Sequence, residues 1–252
     1  MLVFSKLKDF SFSDLIETAE LTGAFLLVDK AKNWTSFDVV AKLRSLTHIK
    51  KIGHAGTLDP LATGLLIVGL GKKATTKIDT FSDLFKSYFA VIKLGATTVT
   101  DDAEGEELIR GLGTGDLGPG MTEDRIKDTL HKFIGKIEQI PPAFSARKIA
   151  GTPAYKLARK NKQVELKPKE IEIYSIDIDK IDLPFITLNV YCSKGTYIRS
   201  LARDIGNELG CGAYLYNLRR TKIGDYSVDM ALGINDLIEK FNNYNNLVVK
   251  SL

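Results

Sequence analysis

The chain has 252 residues, of which 44% are hydrophobic and 26% are charged, and its formal net charge is +4. This composition is ordinary for a globular protein and excludes a disordered or fibrous chain. The apolar runs, such as Leu65 to Val68, are far too short to cross a bilayer, and the N-terminus lacks the pattern of a signal peptide. We therefore expect a cytoplasmic protein without membrane contact.

The two cysteines, Cys192 and Cys211, form no C-x-x-C pair and no cluster with the three histidines. This usage favours reduced thiols and indicates neither a disulfide framework nor a metal site. The sequence contains no Walker loop and no tandem repeat, so nucleoside triphosphate hydrolysis is unsupported.

The first predicted elements are a helix, a strand and a second helix. Residues 1–23 form an N-terminal extension with one apolar helical face, made of Phe10, Phe12, Leu15 and Ile16. Ala24 to Val28 is predicted to be a buried strand. The next helix begins after Thr35, because Thr35 and Asp38 have the spacing of a capping box.

The stretch from Lys51 to Leu70 concentrates unusual residues around Asp59. Gly53, Gly56 and Gly64 allow close approach of another chain, and the proline after Asp59 holds that carboxylate at a junction. An isolated Asp-Pro pair is most often a helix N-cap. Here the context favours a functional carboxylate, because a cap needs neither the preceding Gly-His-x-Gly nor the Tyr and Arg segments that follow later.

Strands dominate the remainder of the chain. Alternating apolar residues predict strands at Ser87 to Leu94, Ile171 to Ile181 and Phe185 to Cys192, the last two in a half-buried antiparallel sheet. Thr122 is predicted to cap a helix. The Asn-rich NNYNN segment near the C-terminus is predicted to be a loop.

Three charged residues in the second part of the chain, after Tyr88, have more than one interpretation. Arg199 lies near the start of a predicted helix, where the helix dipole disfavours it, so we expect a carboxylate or phosphate partner. A plain surface arginine is the alternative. Asp101 and Asp102 are adjacent acids in a polar loop, which are most often turn chemistry.

Basic residues concentrate between Ser145 and Lys169, with eight Lys or Arg against the single acid Glu165. Prolines and glycines flank this segment, and aromatic residues alternate with basic ones. The combination is typical of an arm that grips a nucleic-acid backbone. A solvated helix face is the alternative for Lys160 and Lys162.

Five segments in chain order, GHAGTLDPLATG, Tyr88, DDAEG, YCSKGTYIR and LRR, closely resemble bacterial TruB-type tRNA pseudouridine synthases, which modify uridine 55 in the T-loop. The resemblance extends from about Phe25 to Phe241. It implies an α+β pseudouridine synthase fold with a mixed, mostly antiparallel central sheet flanked by helices. It also implies a catalytic domain of residues 24–252 with a thumb at about 138–165, and no cofactor or metal.

The resemblance assigns a role to individual residues. Asp59 is the implied nucleophile, and Arg199 pairs with it, which opposes the rise in pKa above about 3.9 that burial alone would cause. The target uridine must leave its stack, and Tyr88 supplies the replacement surface. The other implied pocket residues are Tyr197, Leu218 and Lys30. The implied RNA contacts are His54, Asp102 and, in the thumb, Arg147 and Lys148.

The sequence also departs from the family pattern. Ala31 and Asn33 stand where members usually have a proline and a glycine, and Val99 where an aspartate is frequent. The chain stops at Leu252 without the small C-terminal RNA-binding domain of many members. We therefore expect thumb and core to supply most of the affinity for tRNA, with weaker or more salt-sensitive binding, and a monomer.

Two other functions fit parts of the sequence. A non-catalytic RNA chaperone for tRNA folding would use the basic thumb but would not need Asp59. A glycoside hydrolase could use Asp59 and Asp102 as a pair of carboxylates, and it would release free base or sugar.

Overall fold

The computed structural model describes residues 1–6, 10–109, 117, 120–145, 147–149, 151–154, 157 and 166–250. Two compact units divide the chain, one of residues 1–86 with 219–252 and one of residues 87–218. The predicted catalytic domain from residue 24, with its thumb, stays a prediction.

The strands in chain order are β1 (Leu2–Phe4), β2 (Ala24–Lys30), β3 (Ile52–Ala55), β4 (Thr63–Leu70), β5 (Lys86–Leu94), β6 (Ala96–Thr98), β7 (Glu107–Ile109), β8 (Gly135–Gln139), β9 (Lys148–Ile149), β10 (Thr152–Pro153), β11 (Lys169–Asp182), β12 (Phe185–Cys192), β13 (Ala213–Ile223), β14 (Tyr226–Ser227) and β15 (Leu232–Gly233). The helices are α1 (Phe12–Leu21), α2 (Ser36–Thr47), α3 (Lys72–Thr75), α4 (Asp79–Ser82), α5 (Glu123–His131), α6 (Ile198–Leu209) and α7 (Ile234–Lys250).

The sheet of the first unit is mixed. Strand β2 pairs antiparallel with β4 along its whole length, and β4 also pairs antiparallel with β3. Parallel pairing joins β1 to the first half of β2, β15 to its second half, and the end of β13 to the start of β4. This mixture agrees with the predicted fold class.

Both faces of β2 and β4 are covered, which explains their continuous apolar sequences. One face packs against α1, α2 and α7 through Leu26, Val28 and Phe241, among others. The other face places Leu27 and Ile67 in a second cluster with side chains from α3 and α4.

Helix boundaries follow local capping chemistry in α2 and depart from expectation in α7. Thr35 and Asp38 form the predicted capping box, with the Thr35 amide 2.8 Å from Asp38 Oδ2. The prediction of a loop at the Asn-rich segment is wrong, because α7 continues to Lys250. Phe241 and Tyr244 lie at helical spacing from Leu237 and pack against the core, and this burial outweighs the low helix propensity of asparagine.

The second unit is built on the strand order β13-β5-β12-β11-β8. Strand β11 pairs antiparallel with β12, as predicted, and also with β8, which was not predicted. Helices α5 and α6 pack against each other, and α6 buries Ile198, Leu201, Ile205 and Leu209. Residues of β5 alternate between buried and partly exposed, which leaves Tyr88 on the buried face.

Candidate active site

Asp59 lies in a turn and does not begin a helix. The amide of Ala62 donates to the carbonyl of Asp59 at 3.0 Å, and β4 starts directly afterwards at Thr63. The N-cap explanation of the Asp-Pro pair is therefore wrong. The side chain of Asp59 is partly buried at the junction between this turn and the sheet.

The residues on both sides of Asp59 are anchored within the first unit. The amide of Leu58 donates to Ser36 Oγ at 2.8 Å, and Ser36 Oγ lies 3.2 Å from the carbonyl of Leu58. On the other side, the carbonyl of Pro60 accepts a 2.8 Å hydrogen bond from the amide of Asn33. Two helix-proximal residues thus hold the turn at fixed points.

Lys30 lies beneath this turn with a fully buried side chain. Its ammonium donates to the carbonyls of Ala31 at 3.0 Å and Trp34 at 2.6 Å, and lies 3.5 Å from that of Pro60. The structure therefore brings Lys30 and the Asp59 turn together. Asn33 adopts a left-handed φ of 67° at the position where family members usually have glycine, a conformation that asparagine tolerates.

Arg220 links the two sides of the turn that carries Asp59, and sequence reasoning missed this role. Its side chain is 1% exposed, and it donates from Nε to the carbonyl of Leu65 at 2.7 Å and from Nη2 to that of Gly56 at 3.1 Å. Gly64 has a φ of +105°, and a Cβ there would lie 2.3 Å from the Arg220 carbonyl oxygen. Gly64 is therefore required by the approach of β13.

His54 lies on β3 within the same unit. Burial, with a smaller effect of the Arg220 guanidinium, lowers the pKa of its imidazole below the ordinary value. Its Nδ1 atom is buried and has no hydrogen-bond partner among the residues that the structure describes. The imidazole is thus neutral near pH 7, and its predicted contact with RNA stays a prediction.

Arg199 lies on α6 in the second unit and is 5% exposed. Nη1 lies 3.4 Å from Asp102 Oδ2 and donates to the carbonyl of Thr100 at 3.1 Å, while Nη2 donates to that of Phe144 at 2.9 Å. The predicted carboxylate partner is confirmed, and the alternative of a plain surface arginine is wrong. The pairing of Arg199 with Asp59 stays a prediction.

Asp102 is 2% exposed and has partners on both carboxylate oxygens. Besides Arg199, its Oδ1 accepts from Thr100 Oγ1 at 2.6 Å and from the amide of Glu104 at 3.1 Å. The loop thus fixes the carboxylate of Asp102 through Thr100 and Glu104, and that carboxylate binds the guanidinium of Arg199. A contact with a flipped base, as the resemblance implies, would require this carboxylate to become more accessible.

The three remaining residues that are predicted to line the pocket, Tyr88, Tyr197 and Leu218, lie in the second unit. Tyr88 and Leu218 are buried on β5 and β13, with exposed fractions of 9% and 7%. Tyr197 directly precedes α6, and the side chain of Gln139 forms two hydrogen bonds with its backbone. Gln139 Nε2 donates to the carbonyl of Tyr197 at 3.1 Å, and the amide of Tyr197 donates to Gln139 Oε1 at 2.8 Å. Sequence reasoning missed Gln139, since a single glutamine gives no recognisable signal.

The predicted thumb is described only in part. Arg147 is partly buried, and its carbonyl accepts a 2.7 Å hydrogen bond from the amide of Ala154. Lys148 lies in β9, opposite Pro153 in β10. Residues 155–156 and 158–165, with four of the eight basic residues of the predicted cluster, lie outside the described residues.

Within the described ranges, no helix combines the length and the apolarity needed to cross a membrane. Across those same ranges, His, Cys, Asp and Glu side chains form no group of three or more that could hold a metal ion.

Residues 44–198 match the family model described as "TruB family pseudouridylate synthase (N terminal domain)". The chain belongs to the TruB family of pseudouridylate synthases. Residues 199–251 match the "tRNA pseudouridylate synthase B C-terminal domain" model, so this second match begins with the helix that carries Arg199. The resemblance seen in the sequence motifs is thereby confirmed.

Relatives in the TruB family are similar over most of their length. The "tRNA pseudouridine synthase B" of Parabacteroides distasonis is 46% identical over 87% of this chain and 95% of its own. The protein of the same name from Geobacter sulfurreducens is 44% identical over 85% of this chain and 69% of its own.

Solved structures support the same fold. A Cbf5-Nop10-Gar1 complex contains a chain that is 27% identical, with a TM-score of 0.66 over 94% of this chain and 58% of that one. An H/ACA RNP bound to a substrate RNA containing 2'-deoxyuridine gives a TM-score of 0.67 at 24% identity, over 96% of this chain and 59% of that one. This chain thus spans just under three fifths of either solved chain.

Proposed function

We propose that this protein isomerises a uridine of tRNA to pseudouridine, and that the target is uridine 55 in the T-loop. The observation that carries the proposal is the anchored turn at Asp59 in a chain of the TruB family. Relatives that carry the name tRNA pseudouridine synthase B support tRNA as the substrate. A monomer in the cytoplasm remains the expected form.

In the proposed reaction, Asp59 attacks the target nucleotide and the N1–C1′ bond breaks. The uracil turns within the pocket and rejoins C1′ through C5, and the bond that Asp59 formed breaks, which regenerates the carboxylate. The hydrogen on C5 leaves as a proton, and N1 gains one. These changes balance without an oxidant or reductant. The contribution of the protein is therefore to orient the base and to hold an ionised carboxylate next to it.

The buried aromatic and apolar side chains suit the handling of an extruded base. A uridine inside a folded loop must leave its stack, and Tyr88 is proposed to stack on it while Tyr197 and Leu218 line the pocket. Arg199, held by Asp102, would supply the positive charge that keeps Asp59 ionised. The glycoside hydrolase alternative is disfavoured, because Asp102 is buried against Arg199 and Thr100.

Release of tritium from C5-labelled uridine in a tRNA transcript tests the proposal. Wild type should release tritium, Asp59→Asn should release none, and Asp225→Asn, an exposed aspartate in a turn of the same unit, should match wild type. A wild-type protein without release would refute the synthase. Equal release by wild type and Asp59→Asn would refute Asp59 as the nucleophile, and release of free uracil would point to a hydrolase.

A further inference from the structure

The geometry points to Arg220 as a positioning residue for Asp59, a role that rests on the proposed function and extends it to a residue outside the pocket. Arg220 joins the two ends of the loop from Gly56 to Leu65, since its Nη2 binds the carbonyl at one end and its Nε the carbonyl at the other. Asp59 lies in the middle of that loop.

The guanidinium group suits this task better than any other side chain. Its planar fork fixes the directions of both hydrogen bonds at once, whereas an ammonium is a point charge on a flexible stem. The side chain is also 1% exposed, so solvent does not compete for the two carbonyls. One rigid group thus links the carbonyls of Gly56 and Leu65 across the turn that carries Asp59.

Two glycines show how closely the loop is fitted to Arg220. Gly56 has a φ of +77°, and a Cβ there would lie 3.3 Å from Arg220 Nη1. Gly64 has a φ of +105°, and a Cβ there would collide with the Arg220 backbone. Both glycines leave the space that the arginine and its strand occupy.

The other anchors of the loop act near its centre. Ser36 holds Leu58, and Asn33 holds Pro60, so the residues on each side of Asp59 are fixed to the α2 region. Strand pairing of Ala55 with Ile67 and of Gly64 with Lys30 holds the flanks of the turn, and Arg220 adds a side-chain link between Gly56 and Leu65. Without this link the turn loses one of its constraints, and an error of about 1 Å in the position of a reacting group can cost about 100-fold in rate.

The test compares Arg220→Met and Arg220→Lys with a matched buried cation. Lys86 is 6% exposed and donates to the carbonyls of Ser82 at 2.5 Å and Leu84 at 2.6 Å in the same unit, so Lys86→Met serves as the control. The readouts are the single-turnover rate of pseudouridine formation at saturating tRNA, the Kd for tRNA, and the folded fraction.

We expect Arg220→Met to slow the rate about 100-fold, with Arg220→Lys in between and a Kd within about threefold of wild type. Lys86→Met should keep the wild-type rate per folded molecule. Rates of the Arg220 variants equal to that of the control, or a parallel loss of rate and affinity, would overturn the proposal.

A second variant covers the case in which Arg220→Met does not fold. Gly56→Ala disturbs the same contact from the loop side, and we expect a slower rate with unchanged affinity for tRNA. An unchanged rate in Gly56→Ala would count against the proposal. A wild-type protein that forms no pseudouridine refutes the proposed function itself, whereas active wild type with fully active Arg220 variants refutes only the role of Arg220.

Discussion

Arg203 and Asp101 form an ion pair in the second unit, with Arg203 Nη1 3.0 Å from Asp101 Oδ2. Arg203 lies one helical turn after Arg199, and Arg199 binds Asp102, the residue next to Asp101. Arg203 Nη2 also donates to the carbonyl of Ile140 at 2.9 Å. Asp101 and Asp102 therefore each hold one arginine of α6, and these arginines bind carbonyls at the start of the predicted thumb.

Breaking the Arg203–Asp101 pair should destabilise the protein. The two side chains are 23% and 17% exposed, so Arg203→Met leaves a partly buried carboxylate without its arginine. We expect a loss of about 1–3 kcal/mol in the free energy of unfolding, measured with urea. Lys127→Met removes an exposed pair with Glu123 and should cost under about 1 kcal/mol. Equal losses in both variants would contradict the prediction.

The pH dependence of the free energy of unfolding should reveal the raised pKa of Asp101. Burial raises the pKa of its carboxyl above the ordinary value, more than Arg203 lowers it. Between the unfolded pKa and this raised native pKa, the native state binds more protons, so the contribution of Asp101 to stability increases as pH falls. Asp101→Asn should abolish that contribution in urea titrations run upward from about pH 4, with Asp225→Asn as control.

Asp101→Asn must be compared with wild type at each pH, because His54 has the opposite effect on the pH dependence of stability. Its lowered pKa means that the unfolded state takes up the proton first, so this contribution to stability falls as pH drops below the ordinary histidine pKa. Identical pH profiles for wild type and Asp101→Asn would contradict the prediction for Asp101.

Gly64→Ala should cost far more than a positive φ alone explains. Gly64 and Gly135 have similar φ values, +105° and +100°, but a Cβ at Gly135 would meet nothing within 4 Å. Gly135→Ala should therefore report the backbone cost alone, about 1–2 kcal/mol. Gly64→Ala adds the collision with Arg220 and should lose at least about 2 kcal/mol more. Equal melting curves would show that β13 can move away.

The salt dependence of tRNA binding should identify thumb contacts. If Arg147 and Lys148 neutralise phosphates, each substitution by Ala should reduce the slope of log Kd against log salt by about 0.9. Filter binding over a salt series measures this slope, and Lys127→Ala, on the exposed face of α5, should leave it unchanged. A slope that is the same in all variants would remove these residues from the interface.

The sequence predicted the parts that depend on local pattern. The alternation in β12 and the capping box of α2 depend on neighbours in the chain, and both were predicted. Arg199 was expected to have a carboxylate partner, because its position conflicts with the helix dipole. The identity of that partner, Asp102, followed only from the structure.

The rest required long-range pairing that no local pattern encodes. Arg220 lies opposite Gly64 only because β13 runs parallel to β4, a pairing of distant segments. Before that pairing is known, the second arginine of LRR reads as an ordinary polar residue, and Gly64 as a flexible one. The alternative of a helix start at Asp59 is wrong for the same reason, since the chain enters β4 at Thr63.

The short strands β1 and β15 both lie on the edge of β2 opposite β4. Between them they occupy its exposed hydrogen-bonding groups, β1 at Ala24–Leu26 and β15 at Val28 and Asp29. A bare β2 would be a long, flat apolar template for pairing with other copies of the chain. We therefore expect residues 2–4 to protect the protein against aggregation by covering this edge. Deletion of residues 1–10 should lower solubility more than it lowers activity.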